Sequence, residues 1–235
     1  MITKNILKII AIFVIGTVGG IFADQLLWPY LIENSLLSEY RLEDRPVYLT
    51  EEIIIRENVA IVGAVEKVEK AVVGIRTQPK VGKAIEGSGL AVTSDGLVVS
   101  LAELVPQNEE TSFFINGSNV SGRVLKRDLV KNLALIKIEQ TGLPTVSFAD
   151  FSETKRGQRV FLSGIVFMNK LPEKITDEGI VRRYDQEKIY TNIMSNFPGS
   201  SLFNVEGKFL GLNTVNKAGE IETISIKAIK EFAGL

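Results

Sequence analysis

From Ala71 to Ile226 the chain is a succession of short β-branched or alternating runs cut by turn residues, a rhythm that excludes most folds before any motif is considered. The first set comprises Ala71 to Thr77, Gly89 to Thr93, Leu97 to Leu101, Thr111 to Asn116, Val120 to Leu125 and Leu133 to Glu139. After Thr141-Gly142-Leu143-Pro144 come Gln158 to Ser163, Glu178 to Arg182, Ile189 to Ile193, Leu202 to Val205, Phe209 to Thr214 and Glu220 to Ile226. Alternation with a period of two sends successive side chains to opposite faces, so each run can bury one face as a strand. Ser94-Asp95-Gly96 and Asn116-Gly117-Ser118 carry residues that tolerate tight reversal. Two sets of about six short strands predict an all-β protein, a double barrel or a sandwich. Lys227 to Leu235 reads as a short closing helix.

Composition narrows the chemistry. The 235 residues are 45% apolar and 23% charged with a net charge of -1, and they include neither cysteine nor histidine. Zinc-finger ligand sets, imidazole metal sites and disulfides are therefore ruled out, and stability must come from packing. No basic excess points to nucleic acid. A phosphate-cradling GxxxxGK[ST] string is absent, and Gly82-Lys83 is an isolated pair. Asp44, Glu51 and Glu52 lack the order of a calcium loop, and Lys80, Lys83, Lys126, Arg127 and Lys131 read as a solvated face. No cofactor or metal is expected.

The N-terminus points to a membrane. Lys4 and Lys8 precede a charge-free run from Ile9 to Ala23, and Trp28 and Tyr30 suit an interface. Residues 1–32 are expected to be a membrane anchor, with residues 6–23 spanning as a single pass and the bulk of the chain extracytoplasmic by the positive-inside rule. A cleaved signal peptide is the alternative, opposed by the lack of a small-x-small site before Asp24. Residues 33–57 carry mixed charge and read as a spacer, in which Pro46 prevents one continuous helix. From Asn58, a candidate N-cap, Ile61, Val65, Val68 and Val72 recur at helical spacing.

Over about Val59 to Leu235 a series of ordered strings resembles the exported HtrA (Deg) family of trypsin-like serine proteases. Gly87-Ser88-Gly89-Leu90-Ala91-Val92 and Ser94 to Ser100 resemble the family's GSG hairpin and the strand leading to its catalytic histidine. Asn132 to Ile138 (NLALIKI) is similar to its DLAVLKI strand. Gly157 to Gly164 is similar to the strand opening its second barrel, Gly179-Ile180-Val181 to its GIV, and Gly207 to Thr214 to the strand pair after its nucleophile. The resemblance implies a chymotrypsin-like fold of two six-stranded barrels in residues 58–235, the first over about 71–140 and the second over about 156–226. The family's PDZ domain is not expected in this chain.

The same alignment implies that the chemistry is altered. Glu103, in Ser100-Leu101-Ala102-Glu103, holds the place of the catalytic histidine, and Asn132 that of the aspartate. The family's GNSGGP loop corresponds to Asn196-Phe197-Pro198-Gly199-Ser200-Ser201. An ungapped count back from Gly207 puts Pro198 on the nucleophile; Ser201 or Ser200 takes that place only in a gapped alignment. A glutamate is a far weaker base than an imidazole, an asparagine carries no charge to stabilise a protonated base, and Pro198 offers no N–H to an oxyanion. The altered oxyanion loop is thus Pro198, Gly199 and Ser200.

These readings predict a membrane-anchored pseudoprotease of the cell envelope that binds exported or unfolded polypeptides or assembles with a homologous protease. One alternative is an active serine endopeptidase in which Ser200 or Ser201 is activated by a lysine or by Glu103. Another is a structural envelope protein, a homo-oligomer held by the N-terminal segment.

Overall fold

Two tight turns fix how the strands meet. In the computed structural model, which describes residues 2–27, 59–216 and 219–235, Asn116 (φ 48°) and Gly117 (φ 82°) connect β4 (Glu110–Ile115) to β5 (Ser118–Val120). Asn169 (φ 51°) and Lys170 (φ 69°) do the same between β8 (Arg159–Met168) and β9 (Leu171–Tyr184). Two-residue loops with both residues at positive φ match the twist of the flanking strands, so each pair continues straight into register, Ile115 opposite Ser118 and Met168 opposite Leu171.

The first set of strands forms an antiparallel sheet in the order β5-β4-β1-β2-β3-β7-β6. Its other members are β1 (Val72–Gln78), β2 (Ile85–Ala91), β3 (Leu97–Ser100), β6 (Gly122–Asp128) and β7 (Leu133–Ile138). The expected six-stranded barrel is corrected here: the run Val120 to Leu125 is not one strand but breaks at Ser121, giving seven strands and a half-barrel. The two edge strands are consecutive in sequence, so the chain itself turns the corner where ladder bonds would close a barrel. Gly122 sits at that corner because a Cβ would come within 2.9 Å of the Phe113 ring.

The second set does close. β8, β9, β10 (Lys188–Thr191), β11 (Ser201–Asn204), β12 (Phe209–Val215) and β13 (Ile221–Ser225) form a six-stranded barrel in the order β10-β13-β12-β11-β8-β9. Phe161, Phe203 and Phe209 are fully buried in it, with ring centroids 5.4 and 5.8 Å apart along the row. One apolar core runs through both halves, joining Ile75, Leu90 and Ile136 of the sheet to Phe161, Phe203 and Leu212 of the barrel. The β8–β9 hairpin reaches back across the sheet: Phe167 meets Phe114 edge-on at 5.4 Å and packs with Ile165 over Gly74, where an added Cβ would lie 3.1 Å from Ile165 and 3.3 Å from Phe167.

Helices cover the ends. A helix over residues 59–68 (α2) runs into a 3-10 turn, Glu69–Ala71, and buries Ala64 and Val68, against which Gly207 packs. The proposed cap Asn58 and the spacer over residues 33–57 lie outside the described residues. The closing helix α3 is Ile226–Ala233, capped by the Ser225 hydroxyl and ended by Gly234 at φ 74°, with Ile226, Ile229 and Phe232 buried.

The N-terminal unit is described by α1 (Ile2–Phe22) and the π-helical turn Ala23–Leu27. Its large apolar side chains, including Phe13 and Ile15, are exposed. Among the described residues, however, no helix is long and apolar enough to cross a membrane. The charge-free run from Ile9 to Ala23 would rise about 22 Å against a hydrocarbon core of about 30 Å. The spanning segment expected over residues 6–23 is thus corrected to an apolar helix whose uncharged part is interrupted at Lys8.

Candidate functional site

Glu103 and Asn132, far apart in sequence, are brought together at one end of the sheet. Glu103 stands on a single 3-10 turn, Ala102–Leu104, whose flanking residues are buried, so Glu103 points outward. Asn132 enters β7 at φ 53°, a left-handed conformation that asparagine tolerates. Its Oδ1 accepts the Glu103 N–H at 3.1 Å, its carbonyl accepts the Ala102 N–H at 3.2 Å, and its Nδ2 donates to Thr214 Oγ1 at 3.2 Å. Arg127 braces the turn from behind, its guanidinium 3.1 Å from the Ala102 carbonyl. Asn132 is therefore a clip between the 3-10 turn and β12 of the barrel. An aspartate there would lack the Nδ2–H donor and would set a second negative charge beside Glu103, so amide and carboxylate suit each other where two carboxylates would repel.

The loop from Ser195 to Ser201 is closed on itself. Phe197 N–H donates to the Ser195 carbonyl at 3.2 Å, Gly199 N–H to Asn213 at 2.8 Å and Ser200 N–H to Phe197 at 3.1 Å, while Pro198 has no N–H. The Pro198 carbonyl accepts the Ser88 N–H at 2.9 Å, and the Ser200 carbonyl accepts the Asn213 N–H at 2.8 Å. Gly199 lies at φ 73° with its α-carbon against the Ser88 carbonyl, so a Cβ would overlap that oxygen. At the foot of the loop the Ser195 hydroxyl donates to the Asp177 carboxylate of β9.

Both candidate serines are fully buried. The Ser200 hydroxyl donates to the Phe197 carbonyl at 2.7 Å. Ser201 is the first residue of β11, paired with Ser163 and Leu212, and its hydroxyl has no partner among the described residues. Neither hydroxyl is hydrogen-bonded to Glu103. A third buried serine, Ser88, works structurally: its hydroxyl accepts the Ile165 N–H at 2.7 Å and ties β2 to β8.

A cleft of about 870 Å³ opens beside Glu103 and Asn132. One wall is the β6–β7 loop, Leu129 to Asn132; the other is Thr214, Val215 and Ile224, with Ala228 of α3 behind. The Asp128 carboxylate holds the loop by accepting the Val130 and Lys131 N–H groups, both at 2.9 Å. On the barrel side Lys188 and the buried Glu222 form an ion pair at 2.5 Å, and this hydrogen bond raises the Lys188 pKa above the ordinary lysine value. Thr214, Lys188 and Glu222 were not singled out from sequence; each is an ordinary strand residue until the barrel closes.

A trypsin-like peptidase domain model matches residues 87–212, more than half of the chain. The chain belongs to the trypsin-like peptidase family, in its HtrA/Deg-like group. It is 30% identical over 144 residues to a probable periplasmic serine endoprotease DegP-like of Halomonas elongata, covering 54% of this chain and 29% of the relative. It is 30% identical over 195 residues to serine protease HTRA1 of Xenopus laevis, covering 73% of this chain and 42% of the relative. The chain thus spans well under half the length of these curated relatives. Among solved structures, an HtrA-type protease AlgW with tripeptide aligns at a TM-score of 0.65 and 18% identity, over 74% of this chain and 62% of that one, which establishes the shared fold.

Proposed function

We propose that this chain is a non-hydrolytic member of the family that holds extended polypeptide in the cleft between sheet and barrel. The observation that carries the reading is the loop itself: Pro198, in the nucleophile's place, has no N–H for an oxyanion, its neighbours Phe197, Gly199 and Ser200 spend theirs on carbonyls of the protein, and neither the Ser200 nor the Ser201 hydroxyl is bonded to Glu103. An oxyanion needs preorganised donors aimed at one empty point, and a serine nucleophile needs a base within hydrogen-bond reach. In this reading Glu103, Asn132 and Pro198 stand where base, orienting carboxylate and nucleophile stood, and Pro198, Gly199 and Ser200 form the altered oxyanion loop.

The periplasmic DegP-like relatives support a cell-envelope location. The exposed apolar side chains of α1 support association of that helix with a membrane surface, with the β domain on the extracytoplasmic side. Two assays test the whole reading. Purified full chain should leave unfolded casein intact and should resist a serine-directed fluorophosphonate probe. Cleavage that disappears in Ser200→Ala or Ser201→Ala, or labelling at either serine, would refute it.

A further inference from the structure

The charges around the cleft are not evenly matched. Lys188 is held by Glu222 at 2.5 Å, and Lys131 stands 3.5 Å from Glu231, so among the described residues both lining cations have an acidic partner. The carboxylates of Glu103 and Glu187, which also line the cleft, have no hydrogen-bond or ion-pair partner among the described residues. Among the described lining residues the unmatched charge is therefore negative. The same lining carries aliphatic side chains, Leu129 and Val130, 74% and 97% exposed, with Val215 and Ile224. Because the Asp128 carboxylate pins the loop backbone, covering these aliphatic side chains costs little further backbone ordering.

We infer that the cleft is selective for extended segments that alternate aliphatic with lysine or arginine residues, a specificity that rests on the non-hydrolytic binding reading above. In an extended segment neighbouring side chains point to opposite sides, so aliphatic residues pack on Leu129, Val130 and Val215 while the intervening cations turn toward the rim. Lysine and arginine suit the rim because their long, flexible stems let the charged heads reach Glu103 and Glu187. Glu103, at the position where the family places its histidine, acts here as an anionic specificity residue. Acidic segments are rejected by both unpaired carboxylates.

Fluorescence anisotropy of the full chain in non-ionic detergent tests this with three labelled peptides of equal length, alternating leucine with lysine, leucine with glutamate, and serine with lysine. The leucine–lysine peptide should bind about tenfold more tightly than either of the others. Glu103→Gln combined with Glu187→Gln should reduce its advantage over leucine–glutamate to about twofold, and added salt should do the same. Both residues are exposed, so the double variant should melt with the parent, and circular dichroism verifies this. Equal binding of the leucine–lysine and leucine–glutamate peptides would overturn the cation preference while leaving a non-hydrolytic binder. Equal binding of serine–lysine and leucine–lysine would overturn the aliphatic component. Binding of none of the three, or cleavage of any, would overturn both this inference and the function it rests on.

Discussion

Replacing Gly199 by alanine measures how firmly the loop from Ser195 to Ser201 is locked. The residue lies at φ 73°, which costs an L-residue about 1–2 kcal/mol. The new Cβ would overlap the Ser88 carbonyl oxygen, so the loop must move. That movement breaks the bonds from Ser88 N–H to Pro198 and from Gly199 N–H to Asn213, each contributing about 0.5–1.5 kcal/mol. Against this, alanine stiffens the unfolded chain and returns about 0.4–1 kcal/mol. The expected net loss is about 3 kcal/mol, or about 6–12 °C in Tm for a domain of this size. Gly142→Ala is the matched control: φ is 72°, no atom lies within 4 Å of an added Cβ, and the loss should stay near 1 kcal/mol. Urea unfolding followed by far-UV circular dichroism resolves the two. If Gly199→Ala cost no more than Gly142→Ala, the loop would be loose and its satisfied amides would no longer support the non-hydrolytic reading.

Restoring the family's residues with Glu103→His, Asn132→Asp and Pro198→Ser should still give no casein hydrolysis, because the Ser88–Pro198 and Gly199–Asn213 backbone hydrogen bonds keep the loop in its present shape; recovered turnover would show that the side chains alone decide activity. Lys188→Met should cost about 2 kcal/mol by leaving Glu222 buried and unpaired, and adding Glu222→Leu should recover most of it in denaturant titrations. Because Glu222 raises the Lys188 pKa above 10.5, the stability from this pair is fully present at neutral pH and fades only as pH climbs through the raised value; a Lys188-dependent loss between pH 7 and 9 would contradict the pairing. Phe203→Ala, in the centre of the aromatic row, should cost about 3–5 kcal/mol by the same titration.

Much of this architecture is legible in the chain. Strands buried on one or both faces announce themselves, as Leu133–Ile138 and Phe209–Val215 do, and Ser225 and Gly234 mark the ends of α3. The outer half of the β8–β9 hairpin does not, because beyond Ile165 neither face is well covered and the pattern of Leu171 to Glu178 becomes polar and irregular. Asn169-Lys170 also lacks the glycine that usually betrays such a turn. The kink at Ser121, and with it the open form of the first sheet, depends on register rather than composition. At the site, family resemblance brought Glu103 and Asn132 into one view, but residue order could not show that Asn132 bonds Thr214 or that Lys188 meets Glu222. Those contacts exist only after long-range closure.

The long hairpin has a mechanical consequence. Phe167 is wedged onto Gly74 and Phe114, Lys174 grips Glu69 at 2.9 Å, and the Ser88 hydroxyl is stitched to Ile165, so the arm acts as a splint fastened to both halves. A splinted molecule cannot hinge open to admit a bulky folded guest. On the binding reading proposed above, a guest would enter as an extended strand.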